Sequence, residues 1–208
     1  MHTTVIVDDH PAIRLAVRSV LEASGLFKIV GEADSGPTAL TVIRESQPSL
    51  VILDLDLPKM NGLELIERLK SSSPTIKLLV LSAQQESIFA SRALQAGANG
   101  FMSKAEGMSS IVQAAQSVLA GYSVFPSSAL GSFTGAGTSP SDLVKTLSDR
   151  ELTVLQQLAR GMSNKEIGDA LLISNKTVSS YKTRVFEKLN ISTLVELVDF
   201  ARANDLIT

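Results

Sequence analysis

At 208 residues the chain has room for one large domain or two small ones, and its 44% hydrophobic fraction excludes a disordered protein. The absence of cysteine excludes disulfides and thiolate metal sites, and histidine only at positions 2 and 10 argues against a His-based metal or triad centre. The net charge of −2 argues nothing about nucleic acid; no apolar run nears the roughly 20 residues of a membrane helix, MHTTVIVDDH carries no secretion signal, and a soluble cytoplasmic protein is expected.

The first part of the chain alternates β-like runs with helical patterns. TTVIV (3–7) is the first strand, and a helix opens at Pro11 with Ile13, Ala16, Val17, Val20 and Leu21 on one face. KIVGEA (28–33) and LVIL (50–53) follow as strands. Asn61 reads as the N-cap of a helix carrying Ile66 and Leu69. KLLVLS (77–82) and GFMS (100–103) are the remaining strands, and Ile111, Ala114, Ala115 and Val118 mark a last helix. Near-continuous apolar strands alternating with helices predict a parallel sheet covered on both faces.

After Tyr122 the texture changes. FPSSALGSFTGAGTSPSD (125–142) is rich in Ser, Gly and Pro, the composition of a flexible tether, and its GAG is too short for a phosphate loop. Helical periodicity returns in LSDRELTVLQQLARG. There Ser148 and Glu151 match a capping box, Leu152, Leu155, Leu158 and Ala159 form the buried stripe, and Gly161 ends the helix. NKEIGDALL, NKTVSSYKTRVFEKL and TLVELVDFARAND continue it across short turns. The expected organisation is an α/β domain over 1–122, a linker over 123–146 and a small all-α domain over 147–208.

The strand runs end in reactive groups: Asp8 and Asp9 after the first, Asp54 after the third, Ser82 at the fourth and Lys104 after the fifth. In an open parallel sheet, ligands sit outside the carboxyl ends of the strands. If the first and third strands are neighbours, three carboxylates meet there, and their repulsion raises a pKa or demands a cation. A hard divalent ion such as Mg²⁺ resolves it and keeps waters for an incoming phosphate. A carboxylate nucleophile, a metal, a hydroxyl and a lysine are what in-line phosphoryl transfer requires. Singly, each has an ordinary reading: Asp8–Asp9 as a helix cap, Ser82 as a turn residue, Lys104 as a solvated charge, His10 as structural. Their joint occurrence at four strand ends favours the common one.

In the helical part, NKEIGDALL and NKTVSSYKTRVFEKL form a helix-turn-helix. Val178, Tyr181, Val185 and Leu189 are spaced to face the core. Lys176, Ser179, Ser180, Thr183 and Glu187 lie opposite, flanked by Lys182 and Arg184. Short hydroxyls with flanking cations suit a helix entering the major groove, where cations grip phosphates and short side chains approach base edges. A protein-binding helical bundle is the plainer alternative.

DDH at 8–10, DLDLPKMNG at 54–62, SA at 82–83 and Lys104 resemble, in identity and spacing, the receiver domain of two-component response regulators. The resemblance implies a flavodoxin-like fold with sheet order 2-1-3-4-5 and Asp54 as phosphoacceptor for a sensor histidine kinase. It implies Mg²⁺ held by Asp9 directly, Asp8 through water, Asp54, and the backbone carbonyl of Asp56. Ser82 and Lys104 become phosphoryl contacts and Phe101 the switch aromatic. Ala105 stands where many receivers carry Pro, so a cis Lys–Pro peptide is absent.

From Leu147 to Ile191 the chain resembles the LuxR-type DNA-binding domain, through RE (150–151), GMSNKEI (161–167), SNKTV (174–178) and KL (188–189); Tyr181 replaces the more common His. Together the two parts resemble the NarL/FixJ class of response regulators, most nearly its BvgA/EvgA branch. This implies double-stranded DNA as partner, with Lys176, Thr177, Ser179, Ser180, Lys182, Thr183 and Arg184 as contacts. It also implies a homodimer formed on phosphorylation or DNA binding, with Leu194, Leu197, Val198 and Ala201 available for the contact. The function expected is a phosphorylation-dependent transcriptional regulator, not an enzyme. The rival is a Mg²⁺-dependent phosphohydrolase of the haloacid-dehalogenase type, for which Asp56 would be the general acid. Such enzymes carry their nucleophile on the first strand, and the helical part would have no role.

Overall fold

The apolar runs form five parallel strands, β1 (His2–Val7), β2 (Phe27–Ala33), β3 (Leu50–Leu53), β4 (Lys77–Ser82) and β5 (Gly100–Ser103), in the order 2-1-3-4-5. The computed structural model describes residues 1–107, 110–130, 143–144 and 146–207, which divide into one unit within 1–133 and another within 134–208. Helices α1 (Pro11–Ala23), α2 (Gly36–Ser46), α3 (Gly62–Ser72), α4 (Glu86–Ala96) and α5 (Ile111–Leu119) alternate with the strands. Every residue of β3 is buried, as a central strand with helices on both faces requires. Ile6, Ile52, Leu79 and Leu81 join Val17, Leu21, Ile111, Ala115 and Val118 in one core layer, beneath α1 and α5. The alternate residues Val5, Val7, Val51, Leu53, Leu78 and Val80 are equally buried, as the period of two along a strand puts them on the other face.

The register sets the position of the site. Val7 pairs with Leu53, Leu53 with Val80, and Ser82 with Ser103, so the strands end along one rim. The backbone N–H of Asp54 donates to Val7 O at 2.8 Å, tying the two acidic strand ends together.

Residues 123–130, which composition places in the tether, pack on this unit. Val124 forms a parallel bridge with Gly100; Phe101 N donates to Val124 O at 2.7 Å and Val124 N to Asn99 O at 3.2 Å. The short helix α6 (Ser127–Leu130) then lies on α4, with Ala129 fully buried. The rest of the expected linker, residues 131–142 and 145, lies outside the described residues.

The second unit contains α7 (Asp149–Ala159), α8 (Asn164–Leu171), α9 (Asn175–Leu189) and α10 (Leu194–Ala203). Its core collects Leu152, Leu155, Leu158, Ile167, Leu171, Val178, Val185, Leu189, Leu197 and Ala201. The capping box at Ser148–Glu151 is present, and two more occur at Ser163–Glu166 and Thr193–Glu196. Glu151 is also buried against Lys188 Nζ at 2.6 Å. Burial works to raise its pKa, but hydrogen bonds from Lys188 and Ser148 hold the carboxyl below its ordinary range. Leu172, after α8, takes a left-handed conformation (φ 56°) and is 70% exposed.

Candidate functional site

Asp8 and Asp54 leave neighbouring strands at the same level, and both are buried. Asp54 Oδ1 accepts the backbone N–H groups of Leu55 (2.7 Å) and Asp56 (3.3 Å), which fixes the carboxylate. Its other oxygen, Oδ2, accepts Lys104 Nζ at 2.6 Å, and the same ammonium stands 2.7 Å from Asp8 Oδ2. The lysine arrives from the end of β5, where the 3₁₀ turn Lys104–Glu106 is capped by the Ser103 hydroxyl accepting from Ala105 N. Among the described residues no peptide bond is cis.

These contacts decide the charge states. Burial pushes the Asp54 carboxyl above its ordinary pKa, Lys104 opposes the shift, and the neighbouring Asp8 charge adds to it. For Lys104, burial pulls the pKa down, but the carboxylates of Asp54 and Asp8 outweigh it and leave the amine above its usual value. The pocket therefore holds a firmly protonated lysine between two acids.

Asp9 stands beside them, partly exposed, and its Oδ1 lies 2.6 Å from His10 Nδ1. Ligand atoms of Asp8, Asp9, His10 and Asp54 all lie within 4.8 Å of one another. A cluster of three converging carboxylates, an oxygen-rich donor set, fits a hard divalent cation. His10 was not expected here, since a lone histidine in a loop carries no periodicity that would aim it. Arg14 was also missed: its Nη1 donates to Asp8 O at 2.7 Å and its Nε to Glu32 Oε2 at 3.3 Å, bracing the backbone under the acid.

Gly62 answers a tight local requirement. A Cβ there would lie 2.5 Å from Leu55 Cα and 2.6 Å from Asp54 O, so only glycine lets α3 begin against the acidic loop. Asn61 caps that helix, accepting from Leu63 N at 2.8 Å. Ser82 is fully buried at the rim and its Oγ accepts from Gln84 N at 3.1 Å. Phe101, 3% exposed, has its ring in the interior and its backbone held by Val124. Thus Asp8, Asp54 and Lys104 are in direct contact, Asp9 adjoins them, Asp56 meets Asp54 through its N–H, and Ser82 and Phe101 stand on the adjoining strands.

In the second unit, α8 and α9 form the expected helix-turn-helix. Val178, Val185 and Leu189 are buried on α9, and Tyr181 is half-buried, its ring 6.0 Å from the Arg184 guanidinium. Lys176, Ser179, Ser180, Thr183 and Arg184 are exposed. Thr177 is half-buried and shares a 2.7 Å hydrogen bond with the Ser174 hydroxyl, and Lys182 lies over the Phe186 ring. Ser180 and Thr183 donate to the carbonyls of Lys176 and Ser179, while Ser179 accepts from Asn164. On α10, Leu197 and Ala201 are fully buried in the core; Leu194 and Val195 are the exposed apolar residues.

Known proteins match both units. The response regulator receiver domain profile matches residues 4–116, and that of bacterial regulatory proteins of the luxR family matches 145–201. The chain is 49% identical over 204 residues to the virulence-factor transcription regulator BvgA of Bordetella pertussis, covering 97% of each chain. It is 36% identical over 202 residues to the DNA-binding transcriptional activator EvgA of Escherichia coli K12, covering 97% of this chain and 98% of that one. Among solved structures, RcsB from Salmonella enterica serovar Typhimurium, bound to promoter rprA in the presence of the phosphomimetic BeF₃⁻, superposes with a TM-score of 0.72 at 27% identity, covering 96% of this chain and 97% of that one. These matches give the phosphohydrolase alternative no support.

Proposed function

The chain belongs to the response regulators that join a receiver domain to a LuxR-family domain, and from that premise we propose that it is a cytoplasmic transcription factor, not an enzyme, switched by a phosphoryl group on Asp54. The observation that carries the reading is the contact of Lys104 with both Asp54 and Asp8 at one rim of the sheet. A sensor histidine kinase supplies the phosphoryl group: a carboxylate oxygen of Asp54 bonds to phosphorus as the bond from phosphorus to the imidazole nitrogen breaks, and the imidazole leaves.

Each residue has a part in this. The backbone N–H groups of Leu55 and Asp56 and the Lys104 ammonium orient the Asp54 carboxylate, and the contacts with Lys104 and Asp56 oppose the upward pKa shift that burial imposes. Lys104 then turns to a phosphoryl oxygen, and the buried Ser82 hydroxyl donates to another. Asp9 and Asp54 would hold Mg²⁺, with Asp8 acting through water and Asp56 through its backbone carbonyl. When bound, the ion neutralises charge on the phosphoryl oxygens. Movement of Ser82 carries Phe101 with it, as the switch aromatic on the next strand.

For output, α9 enters the major groove of double-stranded DNA. Lys176, Lys182 and Arg184 contact phosphates while Thr177, Ser179, Ser180 and Thr183 approach base edges. A homodimer, using the exposed Leu194 and Val195, grips two half-sites and multiplies affinity. The receiver part extends through α6, which leaves the tether to the residues between it and the helical domain.

The test is labelling with a radioactive phosphodonor, phosphohistidine kinase or acetyl phosphate, followed by DNA binding at fixed salt. Stoichiometric labelling lost in Asp54→Asn, and tighter DNA binding on phosphorylation, are expected. Undiminished labelling of Asp54→Asn would reject the phosphoacceptor assignment, and sustained turnover of a phosphomonoester would favour an enzyme.

A further inference from the structure

We propose that Asn164, which lies outside α9, fixes Ser179 as a hydrogen-bond donor toward DNA, so that the base this serine meets carries an acceptor, as guanine does, and cytosine is rejected there. This rests on the reading of α9 as the helix in the major groove and deepens it to a rule for one base. Asn164 is the first residue of α8, half-buried, and its Nδ2 donates to Ser179 Oγ at 3.0 Å. The two also line one surface hollow with Lys182 and Thr183, so their contact lies on the face of the proposed DNA contacts and not beneath it.

A serine or threonine hydroxyl has one O–H and two lone pairs, and its neighbours decide which it offers. Ser180 and Thr183 turn back on their own helix: Ser180 donates to Lys176 O and Thr183 to Ser179 O, each at 3.1 Å. Their hydrogens are spent, and only lone pairs are left for a base. Ser179 differs. It is exposed, accepts from Asn164, and donates to no group among the described residues. Accepting one hydrogen bond polarises a hydroxyl and strengthens it as a donor. Once water is expelled from the groove, an O–H without an acceptor carries the full cost of desolvation. Guanine answers it with N7 and O6, whereas cytosine offers only its N4 amino group, itself a donor. Without Asn164, the Ser179 hydroxyl is free to rotate onto the carbonyl of Asn175, four residues back, as Ser180 and Thr183 do onto theirs.

The test is selection of duplexes from a randomised library by the full chain treated with acetyl phosphate, at fixed salt. The base met by Ser179 is the one whose preference changes in Ser179→Ala. There the wild type should favour guanine over cytosine roughly three- to tenfold. Asn164→Ala should abolish that preference, with no further change in the double variant. Asn164→Asp replaces the amide donor by a carboxylate that takes the Ser179 hydrogen, so cytosine should become the favoured base, an inversion that no loss of folding produces. Cytosine favoured by the wild type, or guanine still favoured by Asn164→Asp, overturns the inference. So does Asn164→Ala weakening all sequences alike, as a mere tether between helices would, or Ser179→Ala changing no position. Each of these leaves the DNA reading intact as long as Lys176→Ala and Arg184→Ala weaken binding. A wild type that selects no sequence, or binding indifferent to both of those substitutions, overturns both.

Discussion

Lys104 Nζ stands 2.6 Å from Asp54 Oδ2, and because it also reaches Asp8 at 2.7 Å, one ammonium compensates two buried carboxylates. Lys104→Met removes that compensation and leaves like charges facing each other. The variant is expected to lose roughly 3 kcal/mol in urea unfolding with EDTA, and millimolar Mg²⁺ should recover part of the loss. A loss unaffected by Mg²⁺ would show that the lysine's role is packing.

Asp54 gives a pH dependence of defined sign. Its folded pKa lies above the ordinary 3.8, so between the two values the folded state binds the extra proton. The stability it contributes is complete below the unfolded value and is lost as pH rises through the folded one. Asp54→Asn lacks this loss. With EDTA present, its stability relative to wild type should therefore improve as pH rises from acid toward neutrality, which denaturant titrations at several pH values would measure.

Gly62→Ala puts a methyl group 2.6 Å from Asp54 O and 2.5 Å from Leu55 Cα, both backbone atoms that cannot rotate aside. A destabilisation of about 1–3 kcal/mol is expected. Because the displaced loop carries the phosphoacceptor, the labelling rate should fall as well, more than in an equally destabilised core variant such as Val118→Ala.

Leu172 holds a left-handed backbone conformation with 70% of its surface exposed, so its side chain contributes little packing in return for the strain. Leu172→Gly should stabilise the helical unit by about 1 kcal/mol, seen as slower amide exchange in α8 and α9. Phosphate uptake at Asp54 should not change.

Much of this was legible in the sequence because buried parallel strands need uninterrupted apolar runs. LVIL, KLLVLS and GFMS became β3, β4 and β5 without adjustment, and NKTVSSYKTRVFEKL became α9 from its first residue to its last. Strand ends announce themselves by polarity, so Asp8, Asp54, Ser82 and Lys104 could be nominated for one rim. What a side chain does at that rim is less legible. Nothing in the composition says that Lys104 bridges two acids, that Ser82 faces its own turn, or that His10 leans toward Asp9, because these depend on χ angles that tertiary packing selects. Tyr181 was expected in the core and is half-buried, since a phenol's hydroxyl keeps one end near water. Residues 123–130 misled by composition: Ser and Pro read as tether, while Val124 satisfies hydrogen-bonding groups that β5 presents to it.

That pairing bears on solubility. An outermost strand with open amides and carbonyls is a template onto which another chain can crystallise as an extra strand, and short apolar GFMS would be an inviting one. Val124 occupies the carbonyl of Asn99 and the amide of Phe101, so this margin of the sheet is plugged by the chain's own continuation. A substitution of Val124 by Pro, which deletes the amide, would reopen part of that margin, and its cost would appear as aggregation at high concentration rather than as lost chemistry.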